Sequence, residues 1–229
     1  MSCRARFDAS VPWNAGHESQ VENPMDELSL RCRCGAMRGR ASRVSPDSGS
    51  HVVCYCDDCQ AFARWLGSDG LVDSYGGTKI FQLSPAQVAI NEGQSELRCV
   101  RLSANGLYRF YAACCRTHVG NALSSRVPFI GLSRAFMETS AGDPTIERLL
   151  GPTSSILGRF APGGLPPGAH ARAPARLLLK SARLLLGWWL RGKGKPSPLF
   201  DDEGAPRVEP EVLTLEARVP LYATVSWTK

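Results

Sequence analysis

The chain has 229 residues, 43% of them hydrophobic, enough to build a core without disulfides. Its 27 basic and 21 acidic residues leave a formal net charge of +6, too mild for the dense Lys/Arg stripe of a nucleic-acid binder, so no nucleic-acid partner is expected. Nine cysteines, odd in number and closely spaced, do not suit a secreted disulfide framework, and no apolar stretch of signal-peptide length opens the chain. The expectation is a reducing, cytoplasmic setting with thiols or metal sites.

Residues 1–27 are polar and Pro/Gly-containing and read as a flexible leader. From 28 to 137, short strand-like runs alternate with turn signals: His51–Tyr55, Lys79–Leu83, Gln87–Ile90, Leu97–Leu102 and Leu107–Ala112. This pattern predicts a mainly β domain of antiparallel sheets. One helix interrupts it, with Asp57 and Asp58 as capping residues, Gln60–Leu66 as its body and Gly67 as its stop. Residues 138–173 are Gly/Pro-rich and read as a linker. The rest, 174–229, reads as a helical and irregular C-terminal extension. Its helix runs from about Pro174 to Arg191, ahead of Gly192, with Arg176, Lys180 and Arg183 on one face. It is too short and too charged to span a bilayer. Packing of its leucine face onto the β domain is the ordinary outcome, and contact with an anionic membrane surface is the alternative.

The cysteines carry the chemistry. Cys54 and Cys56 are two apart, so on a strand both sulfurs reach one point. The chain then turns at Asp57 into a helix that brings Cys59 to the same point, in a first turn whose dipole favours a thiolate. Thiolate is the form that binds zinc, and three clustered ligands leave an open fourth position for water or substrate. The alternative is a closed site completed by a distant Cys or His. Cys32 and Cys34, followed by Gly35, form a second pair that needs two further ligands, and Cys114 and Cys115 are the best source. Neighbouring strand residues face opposite ways, so both join one metal only if the backbone bends. Cys115 is the preferred one. Cys99 reads as a core thiol, and Cys3 carries no role. His51 and His118 read as structural, with a fourth or outer-shell contact as the alternative.

Three motifs together, Cys32-x-Cys34-Gly, Cys54-x-Cys56-x-x-Cys59-Gln60 and Tyr111-x-x-x-Cys115-x-Thr117-x-x-Gly120, resemble the glutathione-dependent formaldehyde-activating enzyme / centromere protein V family over about residues 28–137. The resemblance implies an Mss4-like fold of antiparallel sheets around zinc. It implies a structural zinc on Cys32, Cys34 and Cys115, and a reactive zinc on Cys54, Cys56 and Cys59 linked to glutathione adducts and carbon–sulfur chemistry. One zinc is expected at the triple and a second at the other group. The family's last Cys-x-x-Cys would place a cysteine at 112, where this chain has Ala112. Cys114 then becomes the substitute ligand, or the site is incomplete. Two functions follow: a zinc-dependent carbon–sulfur lyase acting on a small thiol adduct such as S-hydroxymethylglutathione, or a non-catalytic zinc-stabilised binding module.

Overall fold

The structure is a computed structural model that describes residues 27–67, 70–138 and 144–222. Most of the predicted leader, including Cys3, lies outside the described residues.

Three short strands, β1 (Leu28–Arg31), β2 (Arg38–Ala41) and β5 (Val88–Glu92), pair in the order β1-β2-β5, all antiparallel. Among the described residues the main sheet has eight strands. Its antiparallel centre consists of β3 (Ser50–Cys54), β4 (Thr78–Leu83), β9 (Ile130–Ser133), β8 (Thr117–Ala122), β7 (Tyr108–Ala112) and β6 (Leu97–Arg101), in that spatial order. β3, β8 and β9 are buried along their whole length, so both of their faces are covered. That explains why Val52, Val53 and Cys54 of β3 run apolar without alternation. The largest core cluster joins the two sheets through Leu30, Met37, Phe81, Leu83, Phe110 and Leu132.

Both edges of the main sheet come from the C-terminal part of the chain. β10 (Ser154–Ile156) pairs parallel with β3, and β11 (Pro210–Val212) pairs parallel with β6. The stretch 138–173 therefore does not run as a linker where it is described. It holds α2 (Thr145–Leu150), whose Ile146 and Leu150 enter the main core, and then β10. Edge pairing satisfies the outer backbone groups of β3 and β6, which an isolated β domain would leave open.

Helix α1 (Asp57–Leu66) follows β3 after two residues, and Gly67 ends it at φ 63°, a left-handed position suited to glycine. The cap differs from expectation. Cys56 is the N-cap, at φ −63° and ψ 152°, while Asp57 and Asp58 lie in the first turn and complement the helix dipole there. Helix α3 (Ala175–Leu190) has Pro174 as its N-cap and lays Leu177 and Trp188 inward. No helix among the described residues is long and apolar enough to cross a membrane.

Candidate metal centres

Two groups of cysteines converge, and in each the sulfurs all lie within 4.8 Å of one another. Either group can hold a metal ion.

The first contains Cys32, Cys34, Cys114 and Cys115. Beyond β1 the chain makes a tight knuckle. Gly35 sits at φ 82°, its amide donates to the Cys32 carbonyl at 2.9 Å, and the Met37 amide donates to the Cys32 sulfur at 3.2 Å. Cys114 and Cys115 come from the turn between β7 and β8, not from a strand, so the alternation that would send them to opposite faces does not apply. Arg116, at φ 54°, tightens that turn. Sulfur separations are 3.6 Å for Cys32–Cys34, 3.8 Å for Cys32–Cys114, 3.3 Å for Cys34–Cys114 and 3.8 Å for Cys114–Cys115. Burial pushes the Cys115 thiol up, but hydrogen bonding to the Thr117 hydroxyl and to Cys34 prevails and brings it down to about 6. Ala112, where the resemblance calls for a cysteine, is fully buried in β7. Cys114 supplies the extra sulfur two residues later.

The second group is Cys54, Cys56 and Cys59. Cys54 ends β3, Cys56 caps α1 and Cys59 lies in its first turn, the predicted strand-to-helix convergence. Cys54 and Cys59 are buried and Cys56 is half-buried. Hydrogen bonds from the Cys54 and Cys56 thiols, with the Arg109 charge in support, hold the Cys59 thiol well below its ordinary range despite full burial. The same sulfur contacts push the Cys54 thiol up. Gln60 donates to the carbonyls of Tyr55 and Phe160 at 2.8 and 2.9 Å, which fastens α1 to the end of β3 and to the turn after β10.

Sequence reading missed two features of this centre. The first is Arg109 on β7, only 1% exposed, with its guanidinium carbon 5.3 Å from the centre of the Phe62 ring. Among the described residues no oxygen or nitrogen accepts from its three guanidinium nitrogens, and the Cys59 sulfur is the acceptor beside them. The Asp58 carboxylate stands 3.8 Å away, an ion pair too long for a hydrogen bond. A buried cation is costly unless negative charge faces it, and the groups that face this one are the Asp58 carboxylate and the Cys59 sulfur. The available signal was an arginine between aromatic residues inside a strand. The second feature is a roof: Leu177 of α3, with Ile156 and Leu157, packs over Cys54, Cys56 and Cys59.

Neither histidine joins either group among the described residues. His51 Nδ1 contacts the Gly151 carbonyl at 3.2 Å and the Thr153 hydroxyl at 3.0 Å. His118 Nε2 contacts Asn121 Oδ1 at 3.0 Å, and its ring meets Phe62 edge-on. Burial, aided by the Arg109 charge, lowers His118 to about 4 from an ordinary 6.5. Between those values the unfolded chain takes up a proton that the folded chain refuses, so this group's contribution to stability falls as the pH drops through that window. NMR titration should show the His118 ring neutral down to about pH 4, and an ordinary midpoint near 6.5 would refute its burial in neutral form. Cys99 lies in the core, its thiol pushed up by burial to about 12. All eight described cysteines are free.

A family model described as a family of unknown function (DUF6151) matches residues 25–211. The chain belongs to this family. No curated protein matches it. The DUF6151 match takes in both cysteine groups, Arg109, the roof over the second group, β10 and the first two residues of β11. Residues 138–211 thus lie inside the family match.

Proposed function

We propose that the protein binds two zinc ions and works as a carbon–sulfur lyase on a small thiol adduct of the S-hydroxymethylglutathione type, on an Mss4-like scaffold in a reducing, cytoplasmic setting. The observation that carries this reading is the contrast between the two centres. One offers four sulfurs, and the other offers three with no further Cys, His, Asp or Glu ligand among the described residues. Four-thiolate zinc sites are closed and structural, while three protein ligands leave a position for substrate. Zinc itself is supported by spacing. Sulfurs at the corners of a tetrahedron with Zn–S of about 2.3 Å lie about 3.8 Å apart. At the first centre the Cys32–Cys34, Cys32–Cys114, Cys34–Cys114 and Cys114–Cys115 separations run from 3.3 to 3.8 Å, and all its sulfurs lie within 4.8 Å of one another.

When bound at the triple, zinc supplies a Lewis acid that stabilises a thiolate sulfur. Cys54, Cys56 and Cys59 hold it there. The carbon–sulfur bond of an S-hydroxymethyl thiol breaks, the hydroxyl proton is lost, and the sulfur departs as thiolate, leaving formaldehyde. The reverse direction condenses the two. Arg109 places a buried positive charge against the sulfur cluster, where negative charge develops. The Leu177, Ile156 and Leu157 roof excludes water from that side.

That roof also favours a second reading, a zinc-stabilised binding module without turnover, because it covers part of the approach to the triple. X-ray absorption and metal analysis on the reduced protein separate the possibilities. The expected result is two zincs per chain sharing seven sulfurs, with one lighter ligand. Turnover of S-hydroxymethylglutathione should fall to background in Cys56→Ser. Equal rates for the two proteins would overturn the lyase reading, and eight sulfurs would favour the binding module.

A further inference from the structure

Helix α3 has three faces. Successive residues are turned by about 100°. Leu177, Leu184 and Trp188 share the side laid against the domain. Arg176, Lys180 and Arg183 form a stripe beside it. The remaining side, an arc of about 120°, carries Leu178, Leu179, Leu186, Trp189 and Leu190, each at least 57% exposed. Five large apolar side chains on one solvent-facing helix side are far from scattered surface leucines. The expected packing of the whole leucine face onto the β domain is therefore only half realised, because the helix is apolar on two sides and can bury one.

Charge identifies the occupant of the open side. Between Glu147 and Asp201 the chain has nine Lys or Arg residues and no acidic residue. The remainder carries 18 basic against 21 acidic residues, so the whole positive excess sits in the segment centred on α3. Arg176 and Arg183 make no ion pair among the described residues. Together with Lys180, Arg191 and Asp47 they line a shallow cleft of about 480 Å³ along the helix. A protein partner for an apolar strip need not be acidic, but an anionic bilayer offers both an apolar layer and a negative surface, in the order this helix presents them. An in-plane helix with leucines and tryptophan on one side and flanking cations is built for that boundary.

We propose that α3 is a membrane-docking surface that inserts Leu178, Leu179, Leu186, Trp189 and Leu190 among the acyl chains of an anionic leaflet while its cations meet the lipid phosphates. The domain lies on the membrane and does not cross it. Leu177, on the opposite side of the same helix, remains packed over the cysteine triple, so docking faces the roofed side of that centre toward the lipid.

The test is cosedimentation of the metal-loaded full chain with vesicles of phosphatidylcholine alone or mixed with phosphatidylglycerol. Binding is expected only to the anionic vesicles. It should weaken when salt rises from about 0.1 M to 1 M, which shortens the screening length from about 10 Å to 3 Å. Arg176→Gln with Arg183→Gln should lower the partition coefficient roughly fivefold for each cation removed. Leu186→Glu should reduce binding to background while metal content and circular dichroism stay as in the wild type. Absence of binding to anionic vesicles by the wild type overturns the proposal, as does undiminished binding by Leu186→Glu. A wild-type dimer that Leu186→Glu converts to a monomer would assign the face to a second copy of the chain instead. Should Leu186→Glu fold poorly, the paired arginine variant on the exposed stripe decides in its place.

Discussion

Cys114→Ser is expected to remove one metal equivalent and lower the melting temperature by about 8–16 °C, from a loss of about 4 kcal/mol or more at about 2–4 °C per kcal/mol. Cys114 lies 3.3 Å from Cys34 and 3.8 Å from both Cys32 and Cys115, so it touches every other sulfur of its group. A serine there weakens a centre that ties β1 to the β7–β8 turn, two segments about 80 residues apart. A four-thiolate zinc contributes about 10 kcal/mol or more of binding energy to folding, against a net stability of about 5–15 kcal/mol for a whole domain. The same variant should leave the second metal in place, because the triple is built on β3 and α1. Ala112→Cys is the complementary control. It puts a thiol at a fully buried core position paired with Leu97, and it should not restore the lost metal to Cys114→Ser. Differential scanning calorimetry and metal analysis check both, and an unchanged metal count in Cys114→Ser would refute the assignment.

The route from sequence to this site was partly open. The strand-to-helix convergence of the triple follows from local rules, since period-2 strands and helix starts are set by neighbouring residues, and β3 with α1 obeys them. The knuckle at Cys32 and Cys34 is local too. What stayed closed is non-local or irregular. Cys114 and Cys115 are both candidates by spacing, but the bend that lets both join is a turn held by Arg116, whose guanidinium donates to the Leu66 and Trp65 carbonyls at the end of α1. No spacing rule encodes that contact. β10 and β11 are three-residue parallel edges, Ser-Ser-Ile and Pro-Glu-Val, too short to show a period. Helix α3 showed its length and its basic stripe in the sequence. Which of its two apolar sides turns inward is decided by the roof over the triple, which periodicity cannot see.

Arg109 is where that hidden information bears most on function. Three thiolates around a divalent metal carry one net negative charge, and Arg109 is the buried positive charge facing it. Removing one partner of a buried charge pair leaves the other uncompensated, at a cost of about 3–5 kcal/mol. Supporting residues around a metal typically tune affinity by about 10- to 100-fold. Arg109→Met, which keeps the length and the packing on Phe62 but not the charge, is therefore expected to weaken metal binding at the triple by about that factor. The four-cysteine centre should be unaffected. Arg109→Lys should recover part of the affinity, because it restores the charge without the planar fork. A competitive chelator titration should resolve two steps in the wild type, and only the step assigned to the triple should move in Arg109→Met. Both steps unchanged, or both shifted together, would mean that Arg109 serves the fold and not the cysteine cluster. A split in which only the triple responds, with thiol turnover falling in parallel, makes Arg109 the residue that matches this centre's charge to an anionic sulfur.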